Sequence, residues 1–116
     1  MTTESADYAT WADFERVALR AGTICRVELF PEARRPAYKL WIDFGPFGIK
    51  CSSAQLTSLY VPDDLLGRQV ICATGLGSKR VAGFKSEVLV TGFVREEGVI
   101  VLAVPERAVS DGSPIC

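Results

Sequence analysis

Residues 17–29, VALRAGTICRVEL, decide the fold, because their apolar side chains recur with a period of two. One predicted face carries Val17, Leu19, Ala21, Cys25, Val27 and Leu29, and the other carries Arg20, Arg26 and Glu28. Such alternation is typical of a strand with one buried face. Gly22, in the middle of the stretch, predicts a bend or bulge of the kind that a tightly coiled barrel needs.

Further strands follow from similar patterns on the C-terminal side. Residues 38–44 alternate between apolar and polar side chains, and a turn signal at 45–48 predicts a hairpin with the strand after it. Apolar and β-branched runs predict strands at 69–74, 87–94 and 99–104. The predicted fold is therefore all-β: a five-stranded Greek-key barrel of the oligonucleotide/oligosaccharide-binding (OB) type, with short N-terminal and connecting helices.

Three short helical segments complete this architecture. Thr10 precedes Asp13 by three residues, which is an N-cap signal for a short helix. A serine at the head of residues 52–56 is suited to cap a helical turn. Residues 62–67 begin with proline, continue with two acids and end with glycine, which fits a further turn of helix.

Length and composition set broad limits. A chain of 116 residues with 48% hydrophobic residues can bury one core, so residues 10–116 are expected to form a single domain behind a mobile N-terminal tail at 1–9. No apolar run approaches the roughly 20 residues that cross a bilayer. The acidic start lacks the features of a signal peptide. We therefore expect a cytoplasmic protein that does not insert into membranes.

Residues for common catalytic or metal chemistry are scarce. The chain has no histidine and no pair of closely spaced cysteines, and Cys25 and Cys72 are interpreted as core residues. The acids at 63–64 and 96–97 fit a helix start and a turn. Residues 75–79, GLGSK, lack the spacing of a phosphate-binding loop. We predict no enzymatic activity, no cofactor and no metal.

Positive charge is concentrated in the middle of the chain. Residues 34–92 carry eight Lys or Arg against four acids, although the net charge of the whole chain is −1. Lys and Arg neutralise phosphates, Ser and Gln donate hydrogen bonds, and Phe can stack on a base. Taken singly, each cation also fits a solvated surface position. The predicted ligand-binding residues are Lys50, Ser52, Ser53 and Gln55 at one strand end, and Lys79, Arg80, Phe84, Lys85 and Ser86 at another.

Several predicted strands are apolar on both faces. An isolated barrel exposes one face to water, so the outer residues need a cover; these are Ile71, Leu89, Phe93, Ile100 and Leu102. Large exposed apolar patches usually mark interfaces, and we interpret this pattern as a homodimer. The alternative is that the N-terminal helix and the loops cover that face within one chain.

Several runs resemble CsaA, a family of small bacterial secretion chaperones. They are LFPEARRPAYKLWIDFG at 29–45, KCSSAQL at 50–56, GRQV at 67–70 and KRVAGFKSEVLV at 79–90, and VALRAGTI at 17–24 matches the opening strand. The resemblance implies an OB fold, no enzymatic activity, and a homodimer joined through the barrels with help from both termini. It also implies binding of unfolded preproteins before export.

The CsaA family lies within a wider group of tRNA-binding OB domains, so a structure-specific tRNA-binding module is the alternative function. Ser86-Glu87 matches the Ser-Glu signature of that group. Val88-Leu89 follows where those domains typically have Gly-Met, and Gly75-Leu76-Gly77 stands where relatives often carry Asn and a proline turn. Both departures are expected to weaken tRNA recognition. For the chaperone function, Tyr38, Trp41, Phe47 and Phe84 are the predicted apolar floor of a peptide groove.

Overall fold

Strand β1 (Leu19–Leu29) is the centre of the sheet, as its alternating pattern predicts. A computed structural model describes residues 7–116 of the chain. In it, β1 pairs antiparallel with β2 (Tyr38–Asp43) along its second half and with β4 (Gln69–Ala73) along its first half. Residues 1–6 of the expected mobile tail lie outside the described residues.

The main sheet has five strands in the order β3–β2–β1–β4–β7, where β3 is Ile49–Ala54 and β7 is Leu89–Val90. The chain just before β7 reaches back to β3. There, the amides of Glu87 and Val88 donate hydrogen bonds to the carbonyl of Cys51 at 2.8 and 3.3 Å. These contacts bring the two edges of the sheet together into a nearly closed barrel. The predicted all-β OB architecture is confirmed.

Two small hairpins extend from the barrel. β5 (Lys79–Val81) pairs with β6 (Phe84–Ser86), and β8 (Gly92–Val94) pairs with β9 (Ile100–Leu102). A short 3-10 turn, Glu96–Gly98, joins β8 to β9. Strands were expected for the second hairpin, whereas the first was expected to be a loop.

A β-bulge in β1 changes which side chains reach the core. The register between β1 and β2 shifts between Ile24 and Arg26, so Cys25 is the extra residue. Ile24 is fully buried and Cys25 is exposed. The prediction that Cys25 belongs to the core is therefore wrong, because the alternation does not continue through the bulge. Cys72 is in the core as predicted, and its burial raises the pKa of its thiol to about 12.

Gly22 has a different role from the one expected. The bulge lies beyond it, and a Cβ atom at this position would lie 2.6 Å from Ile42 Cγ2 and 2.7 Å from Phe44 Cε1. Glycine therefore allows two core side chains to pack directly against the backbone of β1. The fully buried side chains inside the barrel include Ile24, Leu40, Ile42, Phe44, Leu65, Val70 and Cys72.

Two of the three expected helical segments are present. Helix α1 (Trp11–Val17) begins with a capping box: Thr10 Oγ1 accepts from the Asp13 amide at 3.0 Å, and the Asp13 carboxylate accepts from the Thr10 amide at 2.8 Å. Helix α2 (Pro62–Leu65) forms where proline and acids predict it. The prediction of a helical turn at 52–56 is wrong, because β3 continues to Ala54 and pairs with β2 up to that residue.

Gly75 lies in close contact with the end of helix α1. Helix α1 ends at Ala18, which has the left-handed conformation, and the Gly75 amide donates to the carbonyl of Val17 at 2.9 Å. A Cβ atom at Gly75 would overlap the carbonyl oxygen of Arg16. Glycine here therefore permits close contact between the loop and the end of α1.

The outer apolar residues are only partly covered. Phe93 and Leu89 are 68% and 52% exposed, Ile71 and Ile100 are half-buried, and Leu102 is buried. Val94 is 74% exposed, and successive residues of a strand point to opposite faces, so both faces of β8 are open. Helix α1 does not cover them. No helix in residues 7–116 is long and apolar enough to span a membrane.

Candidate functional site

A cluster of aromatic rings and cations lies on the outer face of β1 and β2, where the β5–β6 hairpin packs against it. The Phe84 ring packs edge-on against Phe30 and Trp41, with ring centroids 5.6 and 5.8 Å apart. The Arg26 guanidinium lies 4.5 Å from the centroid of Trp41. The Lys39 ammonium lies 4.8 Å from the centroid of Phe30 and 5.2 Å from that of Phe84. We call these five residues the cation–aromatic cluster.

Strand register explains how the cluster assembles. Arg26 is the partner of Trp41 across β1 and β2, and Lys39 is the partner of Ser53 across β2 and β3. Directly paired residues share one face of a sheet. Leu40, between Lys39 and Trp41, points into the core and is fully buried. The sequence alternation that builds the core therefore also builds the outer cluster.

The β5–β6 hairpin is held on this face by Phe84 and carries three exposed cations, Lys79, Arg80 and Lys85, which we call the hairpin cations. Arg80 and Lys85 are directly opposite each other in the hairpin register. Like charges in that position destabilise a sheet. The hairpin therefore keeps its positive charge at a cost in local stability.

The turn of the hairpin adds backbone strain. Ala82 has φ of 47° and Gly83 has φ of 83°. Two residues with positive φ are typical of a tight hairpin turn, but alanine disfavours this conformation. The Arg80 guanidinium donates to the Gly83 carbonyl at 3.1 Å and so spans the turn.

The cluster lies where OB barrels hold their ligands. In such barrels, ligands bind on the face of strands 2 and 3 and on the loops that flank it, after strand 1 and after strand 4. Here the loop after β1 begins at Phe30 and exposes Arg34 and Arg35, and the segment after β4 contains the β5–β6 hairpin. The aromatic contact between Phe30 and Phe84 joins these two segments.

Ser86 and Glu87 connect the hairpin to β3 through their side chains. Ser86 Oγ accepts from the Ser53 amide at 3.1 Å and donates to the Val88 carbonyl at 3.4 Å. Glu87 Oε1 accepts from the Cys51 amide at 3.0 Å and from the Cys51 thiol at 3.3 Å. Cys51 Sγ also lies 3.0 Å from the carbonyl of Lys85. We call this set of contacts the seam.

The seam changes the acidity of both of its titratable groups. The backbone hydrogen bond from Cys51 holds the pKa of Glu87 below its ordinary value, and the positive charges of Lys50 and Lys85 act in the same direction. Burial, and then the hydrogen bond to Glu87, raises the pKa of the Cys51 thiol. The carboxylate is therefore the stable form of Glu87, while Cys51 keeps its proton as a donor.

The structure brings most of the predicted ligand residues together. Lys79, Arg80, Phe84, Lys85 and Ser86 all lie on the hairpin, and Ser53 contacts it through the Ser86 hydroxyl. The Ser53 amide and the Ser86 hydroxyl bind each other in the seam.

The remaining three predicted residues lie apart from the cluster. Ser52 is fully buried and its hydroxyl donates to the Ser53 carbonyl at 2.9 Å, so it offers no surface to a ligand. Lys50 pairs with Ile42 on the core side of the sheet and is half-buried. Gln55 is exposed just beyond the end of β3. Contact with a ligand stays a prediction for Lys50 and Gln55, as it does for Ser53 and the hairpin residues.

Of the four residues predicted to form an apolar floor, two lie in the cation–aromatic cluster. Trp41 and Phe84 meet in the cluster. Tyr38 is instead 5% exposed, and its hydroxyl donates to the Tyr60 carbonyl at 2.8 Å. Phe47 lies beneath the Arg20 guanidinium, 4.0 Å from it, and makes no contact with the cluster.

Sequence reasoning did not select Arg26, Phe30 or Lys39 as ligand residues. The signal for Lys39 was available, because it alternates with buried residues of β2. The alternation already placed Arg26 on the polar face, but its pairing with Trp41 depends on strand register, and Phe30 required knowledge of how the hairpin folds back. Within residues 7–116, no three His, Cys, Asp or Glu side chains are grouped so that they could hold a metal ion.

Comparison with known proteins defines the family. The model of the putative tRNA-binding domain matches residues 19–114. The chain is 29% identical over 109 residues to the methionine–tRNA ligase of Methanococcoides burtonii. That match covers 94% of this chain but only 16% of the ligase, so the chain spans about a sixth of the length of this curated relative.

Solved structures give a narrower likeness. The chaperone CsaA from Bacillus anthracis is 49% identical, with a TM-score of 0.89, and the match covers 94% of this chain and 99% of that one. The CsaA chaperone protein from Picrophilus torridus is 39% identical, with a TM-score of 0.87, over 94% and 100% of the two chains.

These matches establish a domain built on an OB barrel. The chain belongs to the putative tRNA-binding domain family and, within it, to the CsaA group. The resemblance seen in the sequence is therefore confirmed.

Proposed function

We propose that this chain is a non-enzymatic molecular chaperone that acts in the cytoplasm as a homodimer and binds unfolded preproteins before export. The observation that carries the proposal is the cation–aromatic cluster on the outer face of the sheet, where Arg26 and Lys39 lie against packed aromatic rings. The likeness to two proteins named as CsaA chaperones supports it.

The cluster suits an extended polypeptide. Trp41 and Phe84 offer partly exposed apolar surface, and Lys39 and the ion pair of Arg26 with Glu28 offer charged groups beside it. An unfolded segment presents apolar side chains together with unpaired backbone groups, so it can use both kinds of contact. Adaptable contacts of this kind give modest affinity and little sequence preference. Binding by mass action then keeps the client from aggregating.

Homodimer formation would cover the open faces of β8. Phe93 and Val94 are 68% and 74% exposed on opposite faces of this strand. Trp11, on α1, is 88% exposed. Monomeric proteins rarely leave several large apolar side chains exposed together, and a symmetric pair buries the same patch on both subunits. A dimer would also double the number of ligand surfaces, which favours long clients.

A second function, tRNA binding, has its own supporting observation. Arg80 and Lys85 are held opposite each other despite their repulsion, and a polyanion would relieve it. The family description names tRNA as a putative ligand. Phosphate contacts of this kind would make affinity fall steeply with salt.

A parallel titration separates the two functions. Unfractionated tRNA and a dye-labelled secretory preprotein diluted from urea are titrated with the protein at about 50 and 200 mM salt, a range over which phosphate-dominated binding changes strongly. The chaperone proposal expects preprotein binding that changes little with salt. A steep salt dependence for tRNA with no preprotein signal would reverse the ranking.

A charge-reversal variant tests whether tRNA or the preprotein binds at the hairpin. Lys79→Glu combined with Lys85→Glu should weaken binding and leave the fold intact, since both side chains are exposed. The matched control is Arg95→Glu with Arg107→Glu, which makes the same change in net charge at two exposed sites outside the cluster. Equal affinity of both variants for both probes would remove the hairpin from the site.

A further inference from the structure

The edge of β3 that faces β7 lacks a regular partner strand. In the main sheet, β3 forms a regular ladder of backbone hydrogen bonds only with β2. On its other edge, the Cys51 carbonyl is used by the amides of Glu87 and Val88. The two outward amides, those of Cys51 and Ser53, are satisfied by side chains, namely Glu87 Oε1 at 3.0 Å and Ser86 Oγ at 3.1 Å. Side chains therefore replace a backbone ladder at this point.

We propose that Ser86 and Glu87 are positioning residues, which fix the β5–β6 hairpin against β3 and so hold Phe84 and the hairpin cations beside the cation–aromatic cluster. This inference rests on the proposed function, because it concerns the same ligand surface. Ser86 ends β6, and Glu87 follows it directly, so both are linked to the hairpin without any intervening flexible residue. Ser86 Oγ and Glu87 Oε1 already accept hydrogen bonds from protein donors, so both atoms act within the chain.

The hairpin needs an external anchor for three physical reasons. A lone two-stranded hairpin has marginal stability in water. The opposed charges of Arg80 and Lys85 weaken this one further. Its turn also contains Ala82 at φ of 47°. Phe84 supplies one anchor through the cluster, and the seam supplies the other at the point where the hairpin rejoins the barrel.

Amide hydrogen exchange on the full chain tests the anchor without any ligand. Ser86→Ala should speed exchange in β5, β6 and the Ser53 amide by about threefold to tenfold, the range expected for one lost hydrogen bond. Exchange at buried β1 and β4 amides should stay unchanged. Ser86→Thr keeps the hydroxyl and should restore slow exchange. Likewise, Glu87→Gln keeps an acceptor oxygen, so the hairpin amides should exchange more slowly in this variant than in Glu87→Ala. Unchanged hairpin exchange in Ser86→Ala would overturn the inference.

A double-mutant cycle tests whether the seam acts through the hairpin. Affinity for unfractionated tRNA and for the labelled preprotein is measured for Ser86→Ala, for a variant in which all three hairpin cations are changed to Gln (Lys79→Gln, Arg80→Gln and Lys85→Gln), and for the combination. A positioning residue loses the part of its effect that acts through the hairpin cations once these are gone. Ser86→Ala should therefore weaken binding about threefold to tenfold in the native hairpin and less in the neutralised one, where only the position of Phe84 is still affected.

The possible outcomes separate the inference from the proposed function. Equal losses from Ser86→Ala in both backgrounds would identify a direct ligand contact and overturn the positioning role. Unchanged affinity in the neutralised hairpin alone would overturn the proposed ligand surface, and with it the contribution of the seam to binding. The exchange data would still decide whether the seam anchors the hairpin.

Discussion

The carboxylate of Glu87 accepts hydrogen bonds from both the amide and the thiol of Cys51, at 3.0 and 3.3 Å. One acidic side chain thus completes the edge of β3 where the barrel closes. Protonation of that carboxylate would weaken both bonds, because a charged acceptor binds donors more strongly than a neutral one. The closure of the barrel beside the hairpin is therefore linked to pH.

The first prediction concerns acid sensitivity. The pKa of Glu87 is lower in the folded state than its ordinary value of about 4.3, so its stabilising contribution is complete above that value. The contribution is lost as the pH falls through the lower, folded pKa. Glu87→Gln removes this titration, so the stability advantage of the wild type over the variant should shrink as the pH falls from 7 to 3.

Trp41 fluorescence can follow this change, because its ring contacts Phe84 of the hairpin. The measurement uses a Trp11→Phe background, since Trp11 is 88% exposed and would add a signal from another place. Other carboxylates cancel in the comparison between the two proteins. A difference that stays constant over this pH range would contradict the link.

The second prediction separates affinity from local stability in the hairpin. Lys85→Gln removes the repulsion with Arg80, so hairpin amides should exchange more slowly by up to a few fold, a gain of about 0.2–1 kcal/mol. Affinity for the ligand should fall, because one hairpin cation is lost. Arg107→Gln makes the same change in net charge elsewhere and should alter neither quantity. Faster exchange of the hairpin amides in Lys85→Gln would contradict the proposed repulsion between Arg80 and Lys85.

Much of the fold follows from local patterns. The alternation at 38–44 gives β2, the capping box gives α1, and proline with acids gives α2. The bulge at Cys25 was misplaced because register depends on pairing with β2, which no local pattern contains. The same limit explains why a helical turn was predicted from Ser52, where β3 in fact continues.

The site was less predictable than the fold. The hairpin cations were found because they are close in the sequence, and Phe84 lies among them. Arg26 and Lys39 join them only through the register of β1, β2 and β3. Ser52 was misassigned because exposure cannot be read from a polar side chain: its hydroxyl donates within the chain and is fully buried. Tertiary contacts therefore determine which polar residues reach the surface of the candidate site.

The third prediction concerns the end of α1. Ala18 has φ of 53° and ψ of 64°, a left-handed conformation that favours glycine. Ala18→Gly should raise the free energy of unfolding by about 0.5–1 kcal/mol, measured by chemical denaturation. Ala12→Gly, inside the same helix, is the matched control and should lower it by up to about 1 kcal/mol. Equal effects of the two substitutions would contradict the conformational argument.

The fourth prediction concerns Gly75. Gly75→Ala should lower the free energy of unfolding by about 1–3 kcal/mol, because its Cβ would overlap the Arg16 carbonyl. Gly77→Ala is the control: its φ is 81°, but no atom lies within 4 Å of the new Cβ, so strain alone should cost about 1 kcal/mol. Faster exchange of α1 amides is expected in the first variant only. Equal exchange in both would contradict the proposed docking of α1.

The fifth prediction tests the homodimer. Phe93→Asp should convert the protein from dimer to monomer in analytical ultracentrifugation at micromolar concentration, because it puts a charge into the apolar surface that we propose a second copy covers. The monomer should stay folded, since Phe93 is 68% exposed in the single chain. Leu66→Asp changes a side chain that is 56% exposed, after α2, and should leave the dimer intact. A wild-type protein that sediments as a monomer would leave both open faces of β8 without the proposed partner, and ligand binding would then have to occur on a single barrel.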